Sequence, residues 1–190
     1  MSTPTTSPTR APTTVPTIRP ATADDALCLG VLAMQVFLDT YATQGIRPAI
    51  AREVLASYTP EVYLRLLQAP HTFILVAEQQ GHLLGLAQVT LGTGHALVQA
   101  SAPAELDRLY VQEPFTGQGL GRALLRAAEH GAAARGAGLM WLTPWVHNHR
   151  ALHFYAREGY ADLGLTWFEF EAERHENRVL ARPLPSATLP

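Results

Sequence analysis

The chain has 190 residues, 47% apolar and 16% charged; that is the length of one domain with enough hydrophobe for a core, which excludes a wholly disordered or coiled-coil chain. All 14 residues of the Lys+Arg total are arginine, against 16 acidic residues, for a net charge of −2. The lack of lysine excludes Schiff-base chemistry, a phosphate-loop lysine and a lysine base, and the slight acidity gives no electrostatic footprint for nucleic acid or an anionic membrane.

Residues 1–16 are mostly Thr, Pro, Ser and Ala, too polar to offset the entropy of ordering, so they read as a tail. One N-terminal-to-C-terminal domain is expected over 17–184, with a second short tail over 185–190. Thr17 to Pro20 suits a short edge strand, and Thr22-Ala-Asp-Asp25 supplies the hydroxyl and carboxylate that open a helix. In that helix Leu27, Val31, Met34, Leu38 and Tyr41 recur at steps of three and four, predicting one apolar stripe against a sheet, with Cys28 beside it as a structural thiol. A single cysteine forms no internal disulfide, and no run approaches the roughly 18 apolar residues of a membrane span, so a cytoplasmic protein is expected.

A second helical stretch runs from about Pro48 to Tyr58, and a third starts at Thr59-Pro-Glu61. Thr72 to Glu78 and Leu83 to Leu91 flank Gln79-Gln-Gly-His82, a hairpin signature. Glu105 to Val111 alternates as a strand, Gly119 to about Arg135 is helical, Leu139 to Val146 is a strand, Asn148 to about Glu158 is a helix, and two terminal strands follow. The order β-α-α-β-β-β-α-β-α-β-β gives an α+β fold, a three-layer arrangement with a mixed sheet flanked by helices.

The strongest local signal is Val111-Gln-Glu-Pro-Phe-Thr-Gly-Gln-Gly-Leu-Gly-Arg122, a strand that runs through Gly117, Gly119 and Gly121 into a helix. Glycines clear the backbone so that consecutive amides and the helix N-terminus can face a pyrophosphate. No Gly-Lys-Ser/Thr follows, and a dinucleotide fold would place this turn after its first strand with an acid about 20 residues on, where Trp141 stands instead. Downstream, Asn148 and Tyr155 are seven residues apart, about two helical turns, and so share a face.

Together, the x-x-Gly-x-Gly turn and Asn-x-x-Ala-x-x-Phe-Tyr-x-x-x-Gly-aromatic, read over about 17–184, resemble the GCN5-related N-acetyltransferases, whose fold has a mostly antiparallel sheet. Phe37-Leu-Asp-Thr-Tyr41, Glu105-Leu-Asp-Arg-Leu-Tyr-Val111 and Trp141-Leu-Thr-Pro-Trp145 look most like their diamine and polyamine branch. The resemblance implies acetyl-coenzyme A as cosubstrate, its pantetheine paired with the backbone of Leu109, Tyr110 and Val111. It implies a pyrophosphate on the amides from Thr116 through Gly117, Gln118, Gly119, Leu120 and Gly121 to Arg122, with Asn148 on the pantetheine arm and Tyr155 beside the thioester sulfur. Thr116 stands where the family usually has Arg or Gln, and Tyr160 where Phe is usual, which predicts weakened but retained cofactor binding.

An alkylamine, with a pKa near 10.4, must lose its proton before it attacks a thioester. Glu105, Asp107 and His147 are candidate bases and Tyr155 a candidate acid. The His147, His149 and His153 spacing lacks the glutamate and cysteine partners of a metal site, so no metal is expected. Asp39 and the run Glu169, Glu171, Glu173 are candidate attractors of a polycation. The resulting expectation is acetyl transfer to a small-molecule primary amine, a diamine or polyamine first, by direct attack in a ternary complex. A protein N-terminus, amino acid or aminoglycoside acceptor is the enzymatic rival, and a non-catalytic acyl-coenzyme A sensor the rival of another class. Homodimerisation through the terminal strands is left open.

Overall fold

The computed structural model describes residues 15–170 and 173–185. Apart from residues 15, 16 and 185, the expected tails lie outside the described residues, as does Glu171 of the acidic run. The elements are β1 (Thr17–Pro20), α1 (Ala26–Tyr41), α2 (Pro48–Ser57), α3 (Pro60–Gln68), β2 (Thr72–Gln79), β3 (His82–Leu91), β4 (Pro103–Val111), α4 (Leu120–Ala133), β5 (Leu139–Leu142), α5 (His149–Arg157), β6 (Ala161–Phe170) and β7 (Glu173–Pro183). Three separate helices therefore lie between β1 and β2, matching the three helical stretches read from the sequence, although the summary order β-α-α-β counts only two.

Seven strands form one sheet in the order β1-β2-β3-β4-β5-β7-β6, antiparallel except for the parallel β4/β5 pair. The β2/β3 hairpin turns on Gln80 and Gly81, both at positive φ (53° and 80°), the geometry whose twist matches the flanking strands. Side chains alternate across the pleat. Ile74, Val76 and Leu86 enter one core with α1, α2 and α3, while Ala77, Ala87 and Val89 enter another with α4 and with Tyr155 of α5. The sheet is thus covered on both faces, which makes the fold a three-layer α+β arrangement.

Helix α1 corrects its expected stripe. Leu27 and Val31 are 64% and 60% exposed, and the buried seam is instead Ala26, Leu29, Gly30, Leu32, Ala33 and Val36. The helix is apolar nearly all round, so periodicity did not single out a face; close approach did. A Cβ on Gly30 would stand 2.5 Å from the Tyr58 carbonyl oxygen, so only glycine lets α1 lie against the start of α3. Cys28 is exposed and fills no core. Strand β5 also stops at Leu142, four residues short of expectation, where Thr143-Pro144 leaves the sheet and Trp145 makes only an isolated bridge to Asn177. Among the described residues no helix is long and apolar enough to cross a membrane.

Candidate active site

The site begins with a sheet defect. Strand β4 pairs with β3 as far as Val111, but with β5 only at Pro103, Ala104 and Glu105. Beyond Glu105 the backbone of β4 loses its neighbour on that side, and Leu109, Tyr110 and Val111 present an open strand edge. The β3/β4 register also slips between Gln88 and Val89, so that Asp107 has no opposite residue. Such a bulge turns a strand locally, and here it lets the consecutive residues Asp107 and Arg108 line one cavity, which a regular strand would forbid.

Two clefts meet at this defect. The first, about 420 Å³, is lined by Leu109, Tyr110, Val111, Thr116, Gly117, Gly119, Gly121, Arg122, Asn148 and Tyr155, all expected from sequence. Two further expected residues do not line it: Gln118 folds back to donate to the Pro114 carbonyl at 3.0 Å, and Leu120 is buried in the core. These two can offer backbone only. Gly117 and Gly119 take φ of 73° and 83°, and an added Cβ at either meets nothing within 4 Å, so the loop is a bare backbone cradle at the start of α4. Thr116 closes the preceding turn by donating to the Glu113 carbonyl at 2.9 Å, a local bond that needs no longer side chain.

Arg122 donates through Nε to Glu158 Oε1 at 2.7 Å, and Arg126 donates to Glu158 Oε2 at 3.0 Å. Glu158 is buried, so both guanidinium groups are held in place, and Arg122, which lines the cleft, remains 57% exposed. Arg126 and Arg182 also meet buried Glu129, whose Oε1 accepts from the Tyr160 hydroxyl at 3.0 Å. That bond explains the tyrosine: a phenylalanine there would offer Glu129 no donor. Asn148 caps α5, its Oδ1 accepting from the Ala151 amide at 3.0 Å, which leaves its amide nitrogen without a partner among the described residues. Burial holds the Tyr155 phenol well above its usual pKa.

The second cleft, about 400 Å³, shares Tyr41 and Tyr110 with the first. Glu105 and Asp107 line it, together with Glu53, Arg47, Arg108 and His175. Its aromatic wall runs from Trp145 to Tyr41 (5.8 Å between centroids), on to Phe37 (4.7 Å) and to Tyr58 (5.3 Å). Burial, reinforced by the charge of Asp107, pushes the Glu105 carboxyl up to about 7 against the opposing pull of Thr93 and Arg108. Burial raises Asp107 too, although its side chain stands more open at the rim and accepts from Thr90 Oγ1 at 2.8 Å. His147 lines neither cleft; it packs edge-on against Trp145 at 4.9 Å. Asp39 is exposed outside both clefts. Sequence reasoning missed Arg47, Glu53, Tyr58, Arg108, His175 and Asn177 in this cleft, since they come from α2 and its two flanking residues, β4 and β7 with no shared spacing.

A strand edge and a glycine cradle in one cleft and a titratable carboxylate in the other, joined at Tyr41 and Tyr110, give room for two ligands side by side. Residues 41–160 match the model of the acetyltransferase (GNAT) family, and the chain belongs to that family. It is an acyl-coenzyme A N-acetyltransferase with acetyl-coenzyme A as its cosubstrate. An uncharacterized N-acetyltransferase of Mycobacterium tuberculosis is 30% identical over 142 residues, 72% of this chain and 86% of that one. An aminoalkylphosphonate N-acetyltransferase of Salmonella typhimurium is 29% identical over 143 residues, 75% of this chain and 83% of that one. Among solved structures, a PaiA N-acetyltransferase of Thermoplasma acidophilum in complex with coenzyme A superposes with a TM-score of 0.71 at 21% identity, covering 90% of this chain and 99% of that one.

Proposed function

We propose that the protein acetylates a primary amine of a small molecule by direct attack in a ternary complex, with the first cleft holding the acetyl donor and the second the acceptor. The observation that carries this reading is the pair of clefts that share Tyr41 and Tyr110, one backed by bare amides and the other by Glu105. Acetyl-coenzyme A supplies an activated acetyl thioester. The open edge at Leu109, Tyr110 and Val111, the amides around Gly117 to Arg122 and the free amide of Asn148 fit its pantetheine and phosphates.

Glu105 takes the amine proton, directly or through one water, and Asp107 beside it raises its basicity. Tyr155 keeps its own proton and serves as a hydrogen-bond donor in the first cleft. Full transfer from a phenol held above 10 to a thiolate of pKa about 8.5 runs uphill, so donation without transfer is its role.

A cationic amine is supported by Glu53, Glu105 and Asp107 together with the aromatic wall, a diamine or polyamine being among the candidates. The Salmonella relative's name widens the acceptor range to amines that also bear an anion. The exposed Leu165, Trp167 and Phe168 on edge strand β6 support a homodimer as part of the proposal, and the single unpaired Cys28 supports a cytoplasmic location. Calorimetric titration with acetyl-coenzyme A, followed by thiol release against polyamines, amino acids, peptides and aminoglycosides, tests the reading. Cofactor binding with no release against any amine would favour a sensor, and no binding at millimolar ligand would reject the assignment of the first cleft.

A further inference from the structure

Arg108 lines the second cleft without a role in the acetyl-transfer reading. It is half-buried at the β4 bulge, donates to Gln88 Oε1 at 2.8 Å and lies over the Tyr58 ring at 5.4 Å. Gln88 is itself 3% exposed and neutral, and no carboxylate oxygen lies within 4.0 Å of the Arg108 guanidinium among the described residues. The Glu105 and Asp107 carboxylates act on it only at longer range, so the guanidinium makes no ion pair, and an anion at contact distance would complete it.

The immediate surroundings of this guanidinium favour an anion, while Glu53, Glu105 and Asp107 of the same cleft favour an ammonium. Three phenols, Tyr58, Tyr63 and Tyr110, lie within electrostatic reach of the guanidinium, and Tyr58 and Tyr110 hydroxyls are 3.4 Å apart. The Tyr63 hydroxyl is fully buried with no partner among the described residues. Tyr58 and Tyr110 line the cleft as protonated phenols, whereas Tyr63 lies behind them and lines neither cleft. Arg47 adds a second guanidinium to the lining of the same cleft. A guanidinium flanked by phenol donors matches the oxygens of a carboxylate or phosphonate and repels an ammonium.

Resting on the acetyl-transfer reading above, we infer that the acceptor is a zwitterionic amine, its carboxylate or phosphonate bound by Arg108 while its amino group lies toward Glu105. Chain length between the two charges is then the selectivity ruler, and a diamine of equal length meets Arg108 with the wrong sign.

The test uses the full-length protein and acceptors matched in length: 3-aminopropylphosphonate, 4-aminobutyrate, 1,4-diaminobutane and n-butylamine, read by thiol release from acetyl-coenzyme A. The expected kcat/KM for the two anionic amines is roughly 10-fold or more above that for the diamine. Equal or higher kcat/KM for the diamine overturns the proposal. In Arg108→Gln the anionic-to-diamine ratio should collapse toward one, with Arg108→Lys restoring part of it; a ratio unchanged in Arg108→Gln also overturns it. Binding of propylphosphonate, which has no amine, reads the anion site without turnover. Calorimetry should show it bind the unaltered protein and weaken roughly 10- to 100-fold in Arg108→Gln, while acetyl-coenzyme A affinity reports that the variant is folded. Absence of propylphosphonate binding to the unaltered protein rejects the anion site whether or not acetyl transfer is observed, whereas absent thiol release with propylphosphonate bound would instead reject the transfer reading.

Discussion

Tyr155 sits where α5 brings a phenol against the first cleft, and its raised pKa makes it a donor at every physiological pH. Tyr155→Phe should therefore lower kcat by roughly 10- to 1000-fold with acetyl-coenzyme A affinity nearly unchanged, as stopped-flow turnover beside calorimetry would show; an unchanged kcat would remove its role. A second residue-scale effect lies far from the chemistry. Arg19 grips Asp25 with two bonds of 2.7 and 2.8 Å, and the same carboxylate accepts from the Thr22 amide at 2.7 Å. The arginine first, then the Thr22 bonds, lower Asp25 from 3.8 to about 2 against the cost of burial. A depressed carboxylate stabilises the fold fully above its unfolded pKa, and that stability is lost as pH falls through the folded value. Asp25→Asn should cost about 2 kcal/mol at pH 7, and the gap from the unaltered protein should close between about pH 4 and 2 in urea melts.

At the scale of elements, the active geometry depends on β4 lying tight on β3 while leaving β5. Gly85 shows how tight: an added Cβ would be 2.6 Å from the Tyr110 carbonyl and 3.1 Å from Leu124 Cδ1. Gly85→Ala should push β4 outward, lower thermal stability and weaken acetyl-coenzyme A together, because Tyr110 walls both clefts. Gly119→Ala separates the two effects. It strains a left-handed residue by about 1–2 kcal/mol in open space, so the loss should fall mainly on cofactor affinity, measured by calorimetry against a thermal melt. Helix caps and the hairpin were readable in the sequence because their signals are local: Thr59 caps α3 through the Val62 amide, and Gln80-Gly81 turns β2 into β3. The face of α1 was not readable, since a helix apolar all round is oriented by what packs on it, and Gly30 against Tyr58 is a long-range fact.

Over the whole molecule, the same division separates the two clefts. Most of the first cleft is written in two contiguous stretches, Leu109 to Arg122 and Asn148 to Tyr155, whose motifs carry the family resemblance, while Val36, Thr40 and Tyr41 reach it from α1 without such a signal. The acceptor cleft draws Phe37 from α1, Glu53 from α2, Arg108 from β4 and His175 from β7; only the sheet order β5-β7-β6 brings β7 alongside. The β4 bulge, which turns Asp107 and Arg108 into one cavity, has no sequence signal. Glu105, held near 7 by this architecture, is the proposed base. The most direct test is the pH dependence of kcat/KM. The carboxylate must be ionised to accept a proton, so the rate should rise with pH through a midpoint of about 7, well separated from amine ionisation near 10.4. In Glu105→Gln that limb should vanish with a roughly 10²- to 10⁴-fold loss; a limb near 7 that survives the substitution would contradict it.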